Sequence, residues 1–168
     1  EADEDPRILA LEATVGSLVC FIDGRPFKNG YRRFKIKSVD GVNDYASIRE
    51  VVSRRYRDAG QNTELYPDVI LIDGGLGQLH AAQDAFSEMD ARPPMVISLA
   101  KKEEEIFVQR RQGPLKLSRT SAALKLLQHI RDEEHRFGQN YHHLLIQKQR
   151  FNQDVAAGRL PPEMKRKK

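Results

Sequence analysis

Two stretches of this sequence hold side chains that could do chemistry. The first centres on Asp73, which closes the short apolar run Asp68-Val-Ile-Leu-Ile72 and precedes Gly74-Gly75. A run of that length and type reads as a buried strand, and open α/β sheets place their ligand sites at the carboxyl ends of such strands. The glycines let the chain turn sharply and let a ligand come close to the backbone. Three readings stay open. Asp73 is a metal-binding carboxylate, or the start of a nucleotide loop with Gly75-x-Gly77, or an aspartate that only caps the next helix. The nucleotide reading is weakened by His80, which stands where a dinucleotide fingerprint needs its third glycine.

The second stretch is Arg131-Asp132-Glu133-Glu134-His135-Arg136-Phe137. On a helix, Gln128, Arg131, Asp132 and His135 share one face, beside an apolar stripe through Leu127, Ile130 and Phe137. That face can line a groove while the stripe grips a sheet. His135 there could hold a hard metal through water, bind manganese directly, or move a proton. The plain alternative is a charged face that is merely solvated. His142-His143 read as surface, because no spacing in the chain makes a zinc site. The single cysteine, Cys20, excludes an internal disulfide, suits a reducing compartment and reads as a small hydrophobe in a strand.

The elements that must position these residues follow from patterning. Ile8 to Phe21 is almost continuously apolar or β-branched and predicts strand, followed by a hairpin signal at Asp23-Gly24. Tyr31, Phe34, Ile36 and Val39 predict a second strand. Asn43 and Asp44 offer caps to a helix with Ile48, Val51, Val52 and Tyr56 on its inner face. The strand ending at Asp73 leads into a helix with stripe Leu79, Ala82, Phe86 and Met89. Met95 to Ala100 predicts a buried parallel strand. A hairpin over Glu105 to Leu117 closes near Gln112-Gly113. Ser118 or Thr120 caps a long last helix with stripe Ala123, Leu127, Ile130, Phe137, Tyr141 and Leu144. This order implies one three-layer α/β domain with a mixed sheet, antiparallel on one side and parallel on the other.

The 168 residues suffice for one domain with a real core. No apolar run approaches the roughly 20 residues that would span a bilayer, and no signal-peptide pattern opens the chain, so no membrane role is expected. Net charge is +4, but its placement matters more. From Tyr141 onward seven basic residues stand against two acids, while the rest of the chain is nearly balanced. A second basic stretch holds Arg25, Lys28, Arg32, Arg33, Lys35 and Lys37 with no acid except at its edges. Both suit a polyanion such as nucleic acid, and equally suit solvated faces. Residues 1–6 form an acidic leader without an initiator methionine, as expected of a piece of a longer chain. Residues 7–150 form the domain, and 151–168 read as a flexible basic tail.

Leu71-Ile72-Asp73-Gly74-Gly75-Leu76-Gly77-Gln78-Leu79 resembles the LIDGGxGQL segment of UvrC proteins, and Arg131 to Phe137 resembles their RDExHRF segment. Tyr31-Arg32-Arg33-Phe34-Lys35-Ile36, Asn43-Asp44-Tyr45-Ala46 and Ser98-Leu99-Ala100-Lys101 are similar to three further blocks of that family. The five occur in family order between Arg7 and Arg150. The resemblance implies an RNase H-like endonuclease domain that cuts DNA 5′ of a lesion in bacterial nucleotide excision repair, in the cytoplasm, with UvrB as the family's partner. It implies a divalent cofactor, Mg2+ or Mn2+, held near two aspartates and a histidine, of which Asp73 and His135 match the second aspartate and the histidine. Phosphodiester hydrolysis at such a site needs a carboxylate-held metal, an activated water and neutralised phosphate charge. Arg32, Arg33, Lys35, Arg131 and Arg136 are the expected backbone contacts to DNA.

The family's first aspartate lies in a strand like FDISH, and here the sequence departs. In one alignment Arg7-Ile8 keep the start of that strand and Glu12 takes the aspartate's place. In the other, Glu12 to Ser17 belong to the second strand and the first is missing. An antiparallel pair needs a turn of at least two residues, and no turn dipeptide stands between Leu11 and Val15. On that ground the second alignment, an RNase H-like sheet lacking its first strand, is the expectation, and with it a catalytically impaired DNA-binding or assembly remnant as the alternative function. Nothing matches the family's amino-terminal nuclease, its UvrB-binding segment or its carboxyl-terminal helix-hairpin-helix module.

Overall fold

A computed structural model describes residues 7–12, 16–34, 44–57, 67–89 and 92–159. The first strand is present. Strand β1, Arg7–Glu12, pairs antiparallel with β2, Ser17–Ile22, from Arg7 against Ile22 to Glu12 against Ser17. Four residues, 13–16, link the strands, and Gly16 takes the left-handed conformation with φ of +65°. The expectation of a missing strand therefore fails. It looked for a turn dipeptide before Val15, whereas β1 runs on to Glu12 and the reversal is completed at Gly16, which carries no Cβ to oppose it.

β1 is also central. It pairs parallel with β5, Val69–Asp73, which pairs parallel with β6, Met95–Ala100. β6 returns antiparallel as β7, Glu105–Val108, and two short strands, β3 (Arg25–Pro26) and β4 (Arg32–Arg33), flank β2. The order is β3-β2-β1-β5-β6-β7, antiparallel at both ends and parallel in the middle. Of the second predicted strand only Arg32 and Arg33 are seen as strand, and Lys35 to Val39 lie outside the described residues.

Alternation along the strands divides the core in two. Leu9, Leu11, Leu18, Cys20, Ile70, Ile72 and Val96 pack with Ile48, Val51, Val52 and Tyr56 of α1 (Asp44–Tyr56) and with Leu79, Ala82 and Phe86 of α2 (Leu76–Glu88). On the other face Ala10, Val19, Phe21, Leu71, Ile97 and Leu99 meet Leu124 and Ile130 of α3, Ala122–Ala156. The result is helices, mixed sheet, helix: three layers, as the element order implies.

Differences from the expected helix ends are local. Ser121, not Ser118 or Thr120, caps α3, accepting from the Leu124 N–H at 3.5 Å. The inward position near the start of α3 is Leu124 rather than Ala123. The helix continues to Ala156, so the tail expected from residue 151 is helical for its first six residues. Among the described residues no helix is long and apolar enough to cross a membrane.

Candidate functional site

The segment after β5 is built to hold a sharp bend. Gly74 has φ of +145°, a region L residues rarely adopt, and its N–H donates to the Leu99 carbonyl at 3.1 Å. The Gln78 side chain folds back to accept from the Gly75 N–H at 3.0 Å, satisfying one of the free donors at the start of α2. A Cβ at Gly74 would stand 2.6 Å from Gln78 Cγ. Gly77 faces Tyr45 of α1, where a Cβ would lie 2.5 Å from the phenol oxygen. These glycines thus serve the bend and the α1–α2 contact, which removes the main support for a nucleotide loop.

The bend leaves Asp73 at the end of its strand, facing α3. A groove of about 180 Å3 is lined by Asp73, Lys101, Glu104, Arg131, Asp132 and His135. A water takes about 10–15 Å3 of such space, so the groove has room for a phosphate group and several waters. Lys101 Nζ lies 3.8 Å from Asp73 Oδ2. Arg131 Nη1 donates to both carboxylate oxygens of Glu104, at 3.2 and 3.1 Å. One nitrogen of His135, Nε2, is 3.0 Å from the Gln139 amide nitrogen. Three carboxylates and two cations surround the space, with a histidine at one wall.

Asp73, Arg131 and His135 are thus brought together from positions some sixty residues apart. Glu12 enters by register. Leu11 pairs with Ile72, so Glu12 stands one position beyond, next to Asp73 along adjacent parallel strands. Its side chain lies outside the described residues, as does Lys35. Arg32, Arg33 and Arg136 do not line the groove. Arg32 Nη1 donates to the carbonyls of Asn29 and Tyr31, and Arg33 lies over the rings of Phe137 and Tyr141 at 4.7 and 5.5 Å. Arg136 makes a two-point pair with Glu133, at 2.9 and 2.6 Å. Glu133 also accepts from the Tyr31 hydroxyl at 3.0 Å, and the Tyr31 ring meets Phe137 edge-on. Burial, then the bond to Glu133, pushes the Tyr31 hydroxyl well above its ordinary value. The hydrogen bond from Arg136 holds the Glu133 carboxyl below the usual range. This cluster docks β4 and its neighbours onto α3.

Two groove residues carried no sequence signal of their own: Lys101 and Glu104. Lys101 lies inside a recognised block, but only the return of β6 into β7 brings Lys101 and Glu104 beside Asp73. Glu134 is a further surprise. It is 1% exposed, on the sheet side of α3, and accepts from Ser17 Oγ at 2.6 Å. Cys20 is buried in β2 with its thiol pushed up by burial, which suits packing rather than nucleophilic chemistry.

Among the described residues no three His, Cys, Asp or Glu side chains converge as a metal cage. A hydrated magnesium ion, however, asks for only one or two carboxylates and keeps several waters. The donors on this groove fit a hard cation of that kind.

A three-layer domain with three parallel central strands, a carboxylate at the end of one and a histidine on the covering helix, has the architecture of an RNase H-like domain. The model of the UvrC RNAse H endonuclease domain matches residues 8–138, and the chain belongs to that family. It is 49% identical over 131 residues to UvrABC system protein C of Moorella thermoacetica, covering 76% of this chain and 21% of the relative. It is 50% identical over 136 residues to the protein of that name from Methanosarcina mazei, covering 81% and 26%. The chain from Dehalococcoides mccartyi is 43% identical over 139 residues, covering 80% and 23%. The chain therefore spans about a quarter or less of the length of these curated relatives.

Proposed function

We propose that this chain is a DNA endonuclease domain of nucleotide excision repair, hydrolysing the phosphodiester 5′ of a lesion with Mg2+ or Mn2+. The observation that carries the proposal is the shared groove: Asp73 and His135 line it with Lys101 and Arg131. Asp73, with Glu12 beside it in register, would hold the cation. When bound, that ion would supply a water of lowered pKa and charge neutralisation at the phosphate. Every other role falls to side chains of the chain. Lys101 and Arg131 meet the phosphate oxygens, where developing negative charge is greatest. His135 orients the attacking water or carries a proton to the leaving oxygen. Arg32, Arg33 and Arg136 lie outside the groove and suit contacts further along the backbone, which fix position without reading sequence.

The relatives are named for a UvrABC system; that this chain works beside its other members, UvrB among them, belongs to the same proposal. The test is cleavage of an end-labelled duplex carrying one bulky lesion, with Mg2+ or Mn2+. Cuts on the 5′ side, abolished by Asp73→Asn and by His135→Ala, are expected. No cleavage by the natural chain under either ion would instead favour the catalytically impaired remnant.

A further inference from the structure

We propose that Glu104 is a positioning residue, which holds Arg131 in the groove at the angle where its guanidinium meets the scissile phosphate. The proposal rests on the nuclease reading of the groove. Glu104 ends the tight turn between β6 and β7 with φ of +52°, a left-handed conformation that a residue with a Cβ keeps only at a cost. Asp23 and Arg110 share that conformation, but Asp23 belongs to an Asp-Gly turn and neither lines the groove. Of three consecutive glutamates, Glu103 and Glu105 turn to Lys116, at 3.1 and 3.9 Å, while Glu104 alone reaches Arg131. Both its oxygens accept from the one nitrogen Nη1. The Arg131 side chain is 16% exposed and that of Glu104 32%, so the pair is partly shielded from solvent.

A turn chosen for the turn alone would carry glycine or asparagine at this position. The glutamate here places a carboxylate where Arg131 finds an acceptor. Engaging Nη1, with Nε 3.7 Å from Asp132 Oδ1, restricts the plane of the guanidinium, which matters because arginine recognises phosphate through a rigid fork. The negative charge also decides the sign of the test. If Glu104 were only an acid on a DNA-facing surface, removing it would tighten DNA binding. If it positions Arg131, removing it weakens binding.

The experiment measures binding of a fluorescent duplex to the full chain, metal-free, together with nicking kinetics. The variants are Glu104→Gly, Glu104→Gln, Arg131→Ala and the double variant of Glu104→Gly with Arg131→Ala. Glycine accepts the left-handed turn freely, so the first variant keeps the fold, which its thermal unfolding checks. Glu104→Gly should weaken binding about fivefold, the order expected when one member of a coupled pair is removed. Glu104→Gln, which keeps an acceptor, should recover part of that loss. The double variant should bind no worse than Arg131→Ala. Binding by Glu104→Gly that equals or exceeds the natural chain, or losses that add in the double variant, would overturn the proposal while leaving the nuclease reading intact. Arg131→Ala binding and nicking DNA as well as the natural chain would also overturn it, whereas no nicking by the natural chain would sink the nuclease reading beneath it.

Discussion

Replacing Ser17 by alanine should destabilise the domain far more than the loss of one hydroxyl suggests. Ser17 is fully buried and its Oγ donates at 2.6 Å to Glu134, itself 1% exposed. Alanine keeps the Cβ, so the packing change is small and the cost is mainly electrostatic. Removing one partner of a buried hydrogen bond costs about 1–3 kcal/mol. A loss of about 2 kcal/mol follows, equivalent to about 4–8 °C in the midpoint of a domain this size. Urea unfolding of Ser17→Ala, Glu134→Leu and the double variant measures it, with a coupling of at least about 1 kcal/mol expected between the two sites. The consequence reaches the groove, because Ser17 pairs with Glu12 across the strands and Glu134 precedes His135. A Ser17→Ala chain within about 0.5 kcal/mol of the natural one, the ordinary scatter of a surface change, would refute the reasoning, as would losses that simply add.

Gly74→Ala should cost about 1–3 kcal/mol in urea unfolding, because φ of +145° and the Gln78 side chain both oppose a Cβ. It should also lower nicking through displacement of Asp73. The Glu133 carboxyl is held below its ordinary 4.5, chiefly by Arg136. Its folded pKa is lower than its unfolded one, so its contribution is present above 4.5 and is lost as pH falls through the lowered value. Glu133→Gln should lack that component, and its stability difference from the natural chain should shrink as pH falls below 4.5. Cys20, buried with a raised thiol pKa, should react with a disulfide reagent only after unfolding, as a colorimetric assay with and without urea would record.

Much of the site was legible because its two ends lie in segments whose spacing alone suggests chemistry. An apolar run ending in Asp-Gly-Gly fixes Asp73 at a strand end, and helical spacing puts Arg131, Asp132 and His135 on one face. The join between them was not legible. Lys101 and Glu104 sit in a stretch that reads as a charged loop, and only the β6–β7 return carries them to Asp73. Nor does a Glu-Glu pair on a charged helix announce that Glu134 turns inward, since its partner Ser17 is over a hundred residues away. The first strand was misjudged for a physical reason. Turn dipeptides mark the tightest reversals, but the four-residue link from Glu12 to Ser17 contains none, and only Gly16 in a left-handed conformation betrays it. Arg33 and Arg136 also take part in docking β4 to α3, through Phe137 and Glu133, a contact invisible in composition.

The most direct measurement is a titration with Mn2+ followed by electron paramagnetic resonance, comparing the natural chain with Asp73→Asn, Glu12→Gln and His135→Ala. One ion bound per chain is expected, weakened by roughly 10–100-fold in Asp73→Asn, the range typical of disturbed metal sites, and weakened also in Glu12→Gln. Binding that is absent from the natural chain, or unchanged in Asp73→Asn, would contradict a metal-dependent nuclease in this groove.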